Sequence, residues 1–193
     1  YTVTTTITEP AALSTSATQT NVSCFGVLIG AIDLTVAGGT TNYSYSWVAS
    51  NGGSIPSGQA NGQDLTGLNA GDYTCTVTDA NSCQTAESVT ITSPSTALSA
   101  TSTTPAVLDC NGDNDGEFTI SGSGGTTPYT YSNSTGASYD ANNNAGAFSG
   151  TNTFTALTAG DYTVRVRDGN LCTFDITTTI TEPAALSTSA TSS

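Results

Sequence analysis

Residues 68–79 read Leu68-Asn-Ala-Gly-Asp-Tyr-Thr-Cys-Thr-Val-Thr-Asp79, and residues 157–168 read Leu157-Thr-Ala-Gly-Asp-Tyr-Thr-Val-Arg-Val-Arg-Asp168. After the shared Ala-Gly-Asp turn, each stretch alternates apolar side chains (Tyr73, Cys75, Val77; Tyr162, Val164, Val166) with small or polar ones. That period of two is the pattern of a strand with one face buried. Working outward, Ile32-Asp-Leu-Thr-Val36, Tyr43-Ser-Tyr-Ser-Trp47 and Val89-Thr-Ile91 alternate in the same way, and glycine pairs and Asn/Asp clusters punctuate them as turns. No window carries sustained helical periodicity with caps. Roughly seven short strands in about 85 residues predict an all-β, antiparallel sandwich of immunoglobulin type. Tyr73 and Tyr162, each opening a strand directly after a turn, fit the corner tyrosine of such sandwiches. Trp47 shares a strand face with Tyr43 and Tyr45 and reads as a core residue; Asn133 holds its place in the second copy, which predicts a thinner core there.

The duplication of that stretch belongs to a larger repeat. Residues 3–18 read VTTTITEPAALSTSAT and residues 176–191 read ITTTITEPAALSTSAT, identical at 15 of 16 positions with an offset of 173. A more divergent match lies inside this period: Ile-Thr-x-Pro ends at Pro10, Pro94 and Pro183, spacings of 84 and 89. Cys24-Phe-Gly matches Cys110-Asn-Gly, the run from Gly38 to Tyr45 matches that from Gly124 to Tyr131, and each unit reaches a cysteine, Cys83 or Cys172, four residues after Asp79 or Asp168. These matches predict two tandem sandwiches over 11–94 and 95–183. Residues 1–10 are expected to be the last strand of a preceding repeat and 184–193 the start of the next, a window on a longer polymer.

Composition excludes several functions. The chain has no His, no Lys and only two cations, Arg165 and Arg167, against fifteen carboxylates, for a net charge of −13. Without a basic patch there is nothing to neutralise phosphates, which excludes nucleic acid as a partner. No apolar run approaches the roughly 18 residues a membrane-spanning helix needs, so this segment is not expected to insert into a membrane. The chain opens at Tyr1 without a basic, apolar leader, so a secretion signal is expected to be removed or to lie elsewhere.

The order C-x-G-x3-G, G-G-T-x2-Y-x-Y-x-W, L-x-A-G-D-Y-T-x-x-V-x-D, N-x-C, I-T-x-P resembles the SprB-type repeat of very large cell-surface adhesins of gliding bacteria. The resemblance runs from about residue 11 to 183; Asn133 in the tryptophan position and the uneven 84/89 spacing depart from it. It implies a bacterial secreted, extracellular or cell-surface protein built as a multi-repeat stalk or adhesive filament. Its partners would be neighbouring copies of the same repeat along a fibre, and it has no catalytic residues.

Five cysteines in such a chain point to an oxidising compartment. Cys75 sits where an antibody-type domain places its inter-sheet cysteine, yet its counterpart is Val164, so it reads as a buried free thiol. Cys24, Cys83, Cys110 and Cys172 recur in both units and are expected in disulfides. Three arrangements stay open: Cys24–Cys83 and Cys110–Cys172 within units; Cys24 with Cys172 and Cys110 with a Cys83 equivalent in the next period; or free thiols. In a strict immunoglobulin topology the within-unit corners lie roughly 20 Å apart, whereas a disulfide needs Cα atoms about 5–6 Å apart.

Other candidate sites are weaker. Asp113, Asp115 and Glu117, with Asp109 and Asn111, form the densest acidic cluster and would suit Ca²⁺, although Asn/Asp/Gly runs also make plain turns and the matching stretch from Cys24 to Gly30 has no acid. Apart from calcium no cofactor is expected. Thr4, Thr6 and Thr8, and Thr177, Thr179 and Thr181, face outward by strand phase. With 39 Thr and 24 Ser but almost no surface charge of the usual kind, the chain invites O-linked sugars as its solubilising coat. Asn21, Asn42 and Asn133 head N-glycan sequons. Without His or Lys no serine has an obvious activating base, so no enzyme is expected. The leading function is therefore a structural protein of an extracellular tandem-repeat filament or adhesin stalk, glycosylated. The alternative is a carbohydrate- or surface-binding module of a secreted multidomain protein, for which Tyr139 and Phe148 are the loop aromatics available.

Overall fold

The computed structural model describes residues 1–105, 107–132 and 148–189. The chain divides into two compact units, Tyr1–Ser93 and Pro94–Ser193. Unit 1 is built from β1 (Ser14–Thr20), β2 (Gly30–Ala37), β3 (Ser44–Ser50), β4 (Leu65–Leu68), β5 (Gly71–Thr78) and β6 (Gln84–Ile91). Its two antiparallel sheets run in the orders β1-β2-β4 and β3-β5-β6. This is the immunoglobulin partition of strands with the fourth strand of that fold missing. Unit 2 is built from β7 (Ser99–Ser102), β8 (Gly116–Ser123), β9 (Thr130–Ser132), β10 (Phe148–Ser149), β11 (Thr153–Leu157), β12 (Gly160–Arg167) and β13 (Thr173–Ile180). Its sheets run β11-β8-β7 and β10-β9-β12-β13. The described residues contain no helix, and none long and apolar enough to cross a membrane.

The alternating residues face inward as their phase requires. In β5, Tyr73, Cys75 and Val77 are buried while Thr74, Thr76 and Thr78 are not. They pack with Ile32 and Leu34 of β2, Leu65 and Leu68 of β4, Trp47 of β3 and Ile91 of β6. Fully burying one such side chain stabilises the fold by about 1.5–3 kcal/mol. Trp47 stands opposite Cys75 in the β3–β5 register, and its indole N–H donates to the Gly62 carbonyl at 3.0 Å. The unit 2 core contains Phe118, Ile120, Tyr131, Phe154, Leu157, Tyr162, Val164, Val166 and Ile180. The thinner core expected in unit 2 turns on position 133; among the described residues Phe118 stands for Ile32, Phe154 for Leu65, and Tyr131 is buried where Tyr45 is only half-buried. The Phe118 ring lies 5.1 Å from Phe154 and 5.9 Å from Tyr162, centroid to centroid. Asn133, on which that expectation rested, lies outside the described residues.

Both corner tyrosines close their corners. Tyr73 Oη donates to the Asn69 carbonyl and Tyr162 Oη to the Thr158 carbonyl, each at 2.9 Å and each four residues back. Such a bond ties the loop into β5 or β12 to the first core residue of that strand.

Register gives each unit a polarity. In unit 1, Ser14 pairs with Ala37 and Thr78 with Gln84 at one pole, while Thr20 pairs with Ala31 and Gly71 with Ile91 at the other. The chain arrives at the first, upstream pole and leaves at the second, downstream pole. Unit 2 repeats this, with Arg167 opposite Thr173 upstream and Gly160 opposite Ile180 downstream. At each upstream pole a glycine pair receives the incoming chain: Gly39 N donates to Ala11 O at 2.7 Å, and Gly125 N to Thr96 O at 3.0 Å. Gly38 and Gly124 have φ of +72° and +70°, and a Cβ on either would overlap the carbonyl oxygen of Ala12 or Ala97. The Gly-Gly-Thr motif is therefore required by close backbone approach. Residues 1–10 are exposed and form no strand, whereas their repeat equivalents 174–183 start inside β13.

Candidate functional site

The most organised polar structure in each unit is the turn between its last two strands, at the upstream pole. Asp79 is 5% exposed, and its carboxylate accepts from three backbone N–H groups: Thr40 at 2.9 Å, Asn81 at 2.9 Å and Cys83 at 2.8 Å. Asp168 does the same with Thr126, Asn170 and Cys172, each at 2.9 Å. Ser82 and Leu171 both take φ of +67° to let the turn close. The N–H bonds, that from Thr40 foremost, hold the Asp79 carboxyl below the usual carboxylate range against a smaller opposing effect of burial. Each aspartate thereby clamps a cysteine-bearing turn to the residue after the glycine pair that receives the incoming chain. Sequence reading quoted these aspartates but gave them no role. The signal was there: D-x-N-x-C recurs in both units, and its spacing is that of an aspartate bonding its own backbone two residues on.

The downstream poles carry different loops. In unit 1, Phe25, Leu28 and Ile29 are exposed; in unit 2 the same loop is Asn111-Gly-Asp-Asn-Asp115. Asp113, one of the calcium candidates, accepts from Cys110 N at 3.0 Å, while Asp113 N donates to Cys110 O at 3.3 Å, a closed local turn. Asp115 is exposed just ahead of β8 and Glu117 is exposed at its second position. Among the described residues no three Cys, Asp or Glu side chains gather as a metal site would require. The same loop holds the outgoing chain instead: Asn111 Nδ2 donates to Pro183 O at 3.1 Å, and Gly112 N to Glu182 Oε2 at 2.7 Å. Cys110, Asn111, Pro183, Ala184 and Leu186 line a shallow groove there.

The cysteines divide by pole. Cys75 is buried with a free thiol, and burial pushes that thiol up. Cys83 and Cys110 are exposed free thiols, while Cys24 and Cys172 are disulfide-bonded. Neither within-unit pair, Cys24–Cys83 or Cys110–Cys172, is formed, and the strand length explains why. Cys83 precedes β6 at the upstream pole, while Cys24 follows Val22, whose N–H donates to Thr92 O beyond the far end of β6. Nine residues of extended chain span about 30 Å, several times the Cα separation a disulfide tolerates. In unit 2, Cys172 precedes β13, and Leu108, just before Cys110, bonds to Thr181 beyond the end of β13, so the same separation holds.

The threonines expected to face outward are exposed: Thr4, Thr6 and Thr8 in the chain ahead of β1, and Thr177, Thr179 and Thr181 along and after β13. Thr177 Oγ1 lies 2.8 Å from Thr163 Oγ1, and Thr179 Oγ1 donates to Asp161 at 2.6 Å. Of the loop aromatics, Phe148 is half-buried with the Arg167 guanidinium 4.0 Å above its ring, and Tyr139 lies outside the described residues, as does the Asn133 sequon. The other cation, Arg165, forms a bidentate pair with Asp175 across the β12–β13 register, at 2.7 and 2.8 Å.

Comparison with known proteins adds the following. No curated protein sequence matches the chain. Among solved structures it is similar to the N-terminal eight Ig domains of Down Syndrome Cell Adhesion Molecule, at 12% identity and a TM-score of 0.40, covering 88% of this chain and 25% of that one. It is also similar to extracellular domains 3–5 of Drosophila OTK, at 15% identity and a TM-score of 0.45, covering 90% of this chain and 62% of that one. It thus spans less than two thirds of either. The family model of the SprB repeat matches twice, at residues 16–53 and 101–138. Both matches cover the same part of the unit, from within the first strand to beyond the third. One stretch of each unit is thus similar to the SprB repeat, and the described residues of both units fold as all-β, immunoglobulin-like sandwiches.

Proposed function

We propose that this chain is a length of an extracellular filament or adhesin stalk, in which the sandwich repeats give reach and the surface threonines carry O-linked sugars. The observation that carries the reading is the polarity of each unit. The chain is received at one pole and released at the other, a strand length away, and both ends are clamped, by Asp79 or Asp168 upstream and, in unit 2, by Asn111 and Gly112 downstream. Repetition of such a unit adds length, because each copy contacts only its neighbours along the chain. The SprB-type match supports a cell-surface adhesin setting. The near-identity of residues 3–18 and 176–191 supports a period of 173 residues. Proline at 10, 94 and 183 stiffens each connection by fixing its own φ. A surface of threonine and serine, poor in charge, supports a sugar coat as the solubilising layer.

Electron microscopy of the native material tests this: filaments with two globules per axial repeat are expected, and a compact particle without axial repetition would refute it. Intact mass tests the sugars separately. A mass above that of the sequence supports them, and an unmodified mass removes them from the reading.

A further inference from the structure

We propose that Cys110 of one period and Cys83 of the next are disulfide partners, closing each period-to-period junction of the filament with a covalent staple. This rests on the tandem-filament reading above and specifies how its consecutive periods are joined.

Three observations converge on one place in the chain. The Cys110 loop grips the outgoing segment: Asn111 holds the Pro183 carbonyl, Gly112 holds Glu182, and Cys110 lines a groove together with Pro183, Ala184 and Leu186. The 173-residue repeat makes Ala184 the counterpart of Ala11. Ala11 in turn is the residue held by Gly39, beside Thr40, whose N–H and that of Cys83 share the Asp79 carboxylate. A following period that arrives as Ala11 does therefore brings its Cys83 turn onto residue 184, next to the groove that Cys110 lines. The two side chains are exposed and carry free thiols, Cys83 at the upstream pole of unit 1 and Cys110 at the downstream pole of unit 2. Both loops are hydrophilic, Asn81-Ser82-Cys83-Gln84 and Cys110-Asn-Gly-Asp-Asn114, so their approach buries no unmatched apolar surface. Neither cysteine has a partner within its own unit, because β6 and β13 hold the poles too far apart.

The bond forms by exchange with a small-molecule disulfide such as oxidised glutathione. The Cys110 thiolate attacks one of its sulfurs and expels a thiolate; the Cys83 thiolate then attacks the mixed disulfide at the Cys110 sulfur and expels the second. Two protein thiols give up two protons and two electrons, and the small disulfide leaves as two thiols.

The test uses a chain carrying two consecutive 173-residue periods, equilibrated in glutathione buffer, alkylated without reduction and mapped by mass spectrometry after cleavage at acidic residues. Cys24 and Cys172, already oxidised, report that the buffer is oxidising enough. The proposal expects a linked peptide joining Cys110 of the first period to Cys83 of the second, with loss of both as alkylation sites. Cys110→Ser in the first period is expected to restore alkylation of that Cys83. Full alkylation of both thiols while Cys24 and Cys172 stay oxidised would overturn it, and so would bonds only between like cysteines of different chains. Filaments that form normally with both thiols alkylated would overturn the staple and leave the filament reading standing; an absence of filaments in the native material would refute that reading whatever the thiols do.

Discussion

The two units solve one packing problem with different side chains. Unit 1 places a tryptophan, Trp47, in β3 against Cys75 of β5, and lines the opposite sheet with the aliphatic Ile32, Leu34, Leu65 and Leu68. Unit 2 moves the aromatic volume onto that opposite sheet, as Phe118 and Phe154, and draws Tyr131 inward so that its hydroxyl accepts from Gly122 N at 3.2 Å. In unit 1 the matching Tyr45 instead reaches Gln63 near the surface. The corner tyrosine, the glycine pair and the aspartate turn are the same in both. What the difference teaches is that the motif residues specify backbone closure, while the core tolerates redistribution as long as its volume is kept.

The largest effect should come from removing either aromatic solution. Trp47→Ala and Phe118→Ala are each expected to cost about 3–5 kcal/mol, the usual range for emptying a large core site. Each should act on its own unit. Because Trp47 is the single tryptophan, fluorescence follows unit 1 alone: Phe118→Ala should lower one calorimetric transition and leave the fluorescence transition in place. Movement of both would break the picture of two separately packed cores.

That independence bears on how much the sequence disclosed. Strand alternation, the corner tyrosines and the repeat were legible, because each depends on local spacing: a period of two, a tyrosine after Ala-Gly-Asp, a string of identical residues. The aromatic side of the unit 2 core was not legible, because Phe118 and Phe154 lie on the sheet opposite β9 and only packing joins the two sheets. The aspartate turn was visible as spacing, but its burial comes from the glycine pair 40 residues earlier in the chain. The disulfide alternatives stayed open for the same reason, since the distance between poles is a property of whole strands and not of the cysteine spacing.

The shared corner offers a finer comparison. Tyr162→Phe removes the bond to the Thr158 carbonyl and should cost about 0.5–1.5 kcal/mol. Tyr73→Phe should cost more within that range, since its hydroxyl also accepts from Ser54 N at 3.2 Å. Equal losses would show that the Ser54 contact contributes nothing.

Acid titration probes the aspartate turn. The Asp79 carboxyl is held below the usual carboxylate range in the folded state, so its contribution is complete above the unfolded value of about 3.9 and disappears as the pH falls through the lower folded one. Asp72, lowered by its bonds from Thr90 and Asn51, acts in the same direction. The fluorescence midpoint of unit 1 should therefore drop below about pH 4, and Asp79→Asn should flatten that drop without abolishing it. An unchanged acid slope in Asp79→Asn would remove Asp79 from the account.

A last difference is the core position at which unit 1 has a thiol and unit 2 does not. Cys75 and Val164 occupy the same inward site two residues after the corner tyrosine, at 0% and 3% exposure. If the thiol serves only as a small apolar side chain, Cys75→Val should change the stability of unit 1 by less than about 1.5 kcal/mol, as volume-conserving core substitutions do. Cys75→Ser keeps the size but buries a hydroxyl opposite Trp47, with the Ser46 backbone as its partner, and burying an incompletely bonded hydroxyl costs about 1–3 kcal/mol. A valine variant that loses more than the serine variant would mean that the sulfur has a role the second unit does without; the opposite order makes Cys75 packing material, and leaves the covalent chemistry of this chain to the cysteines at its poles.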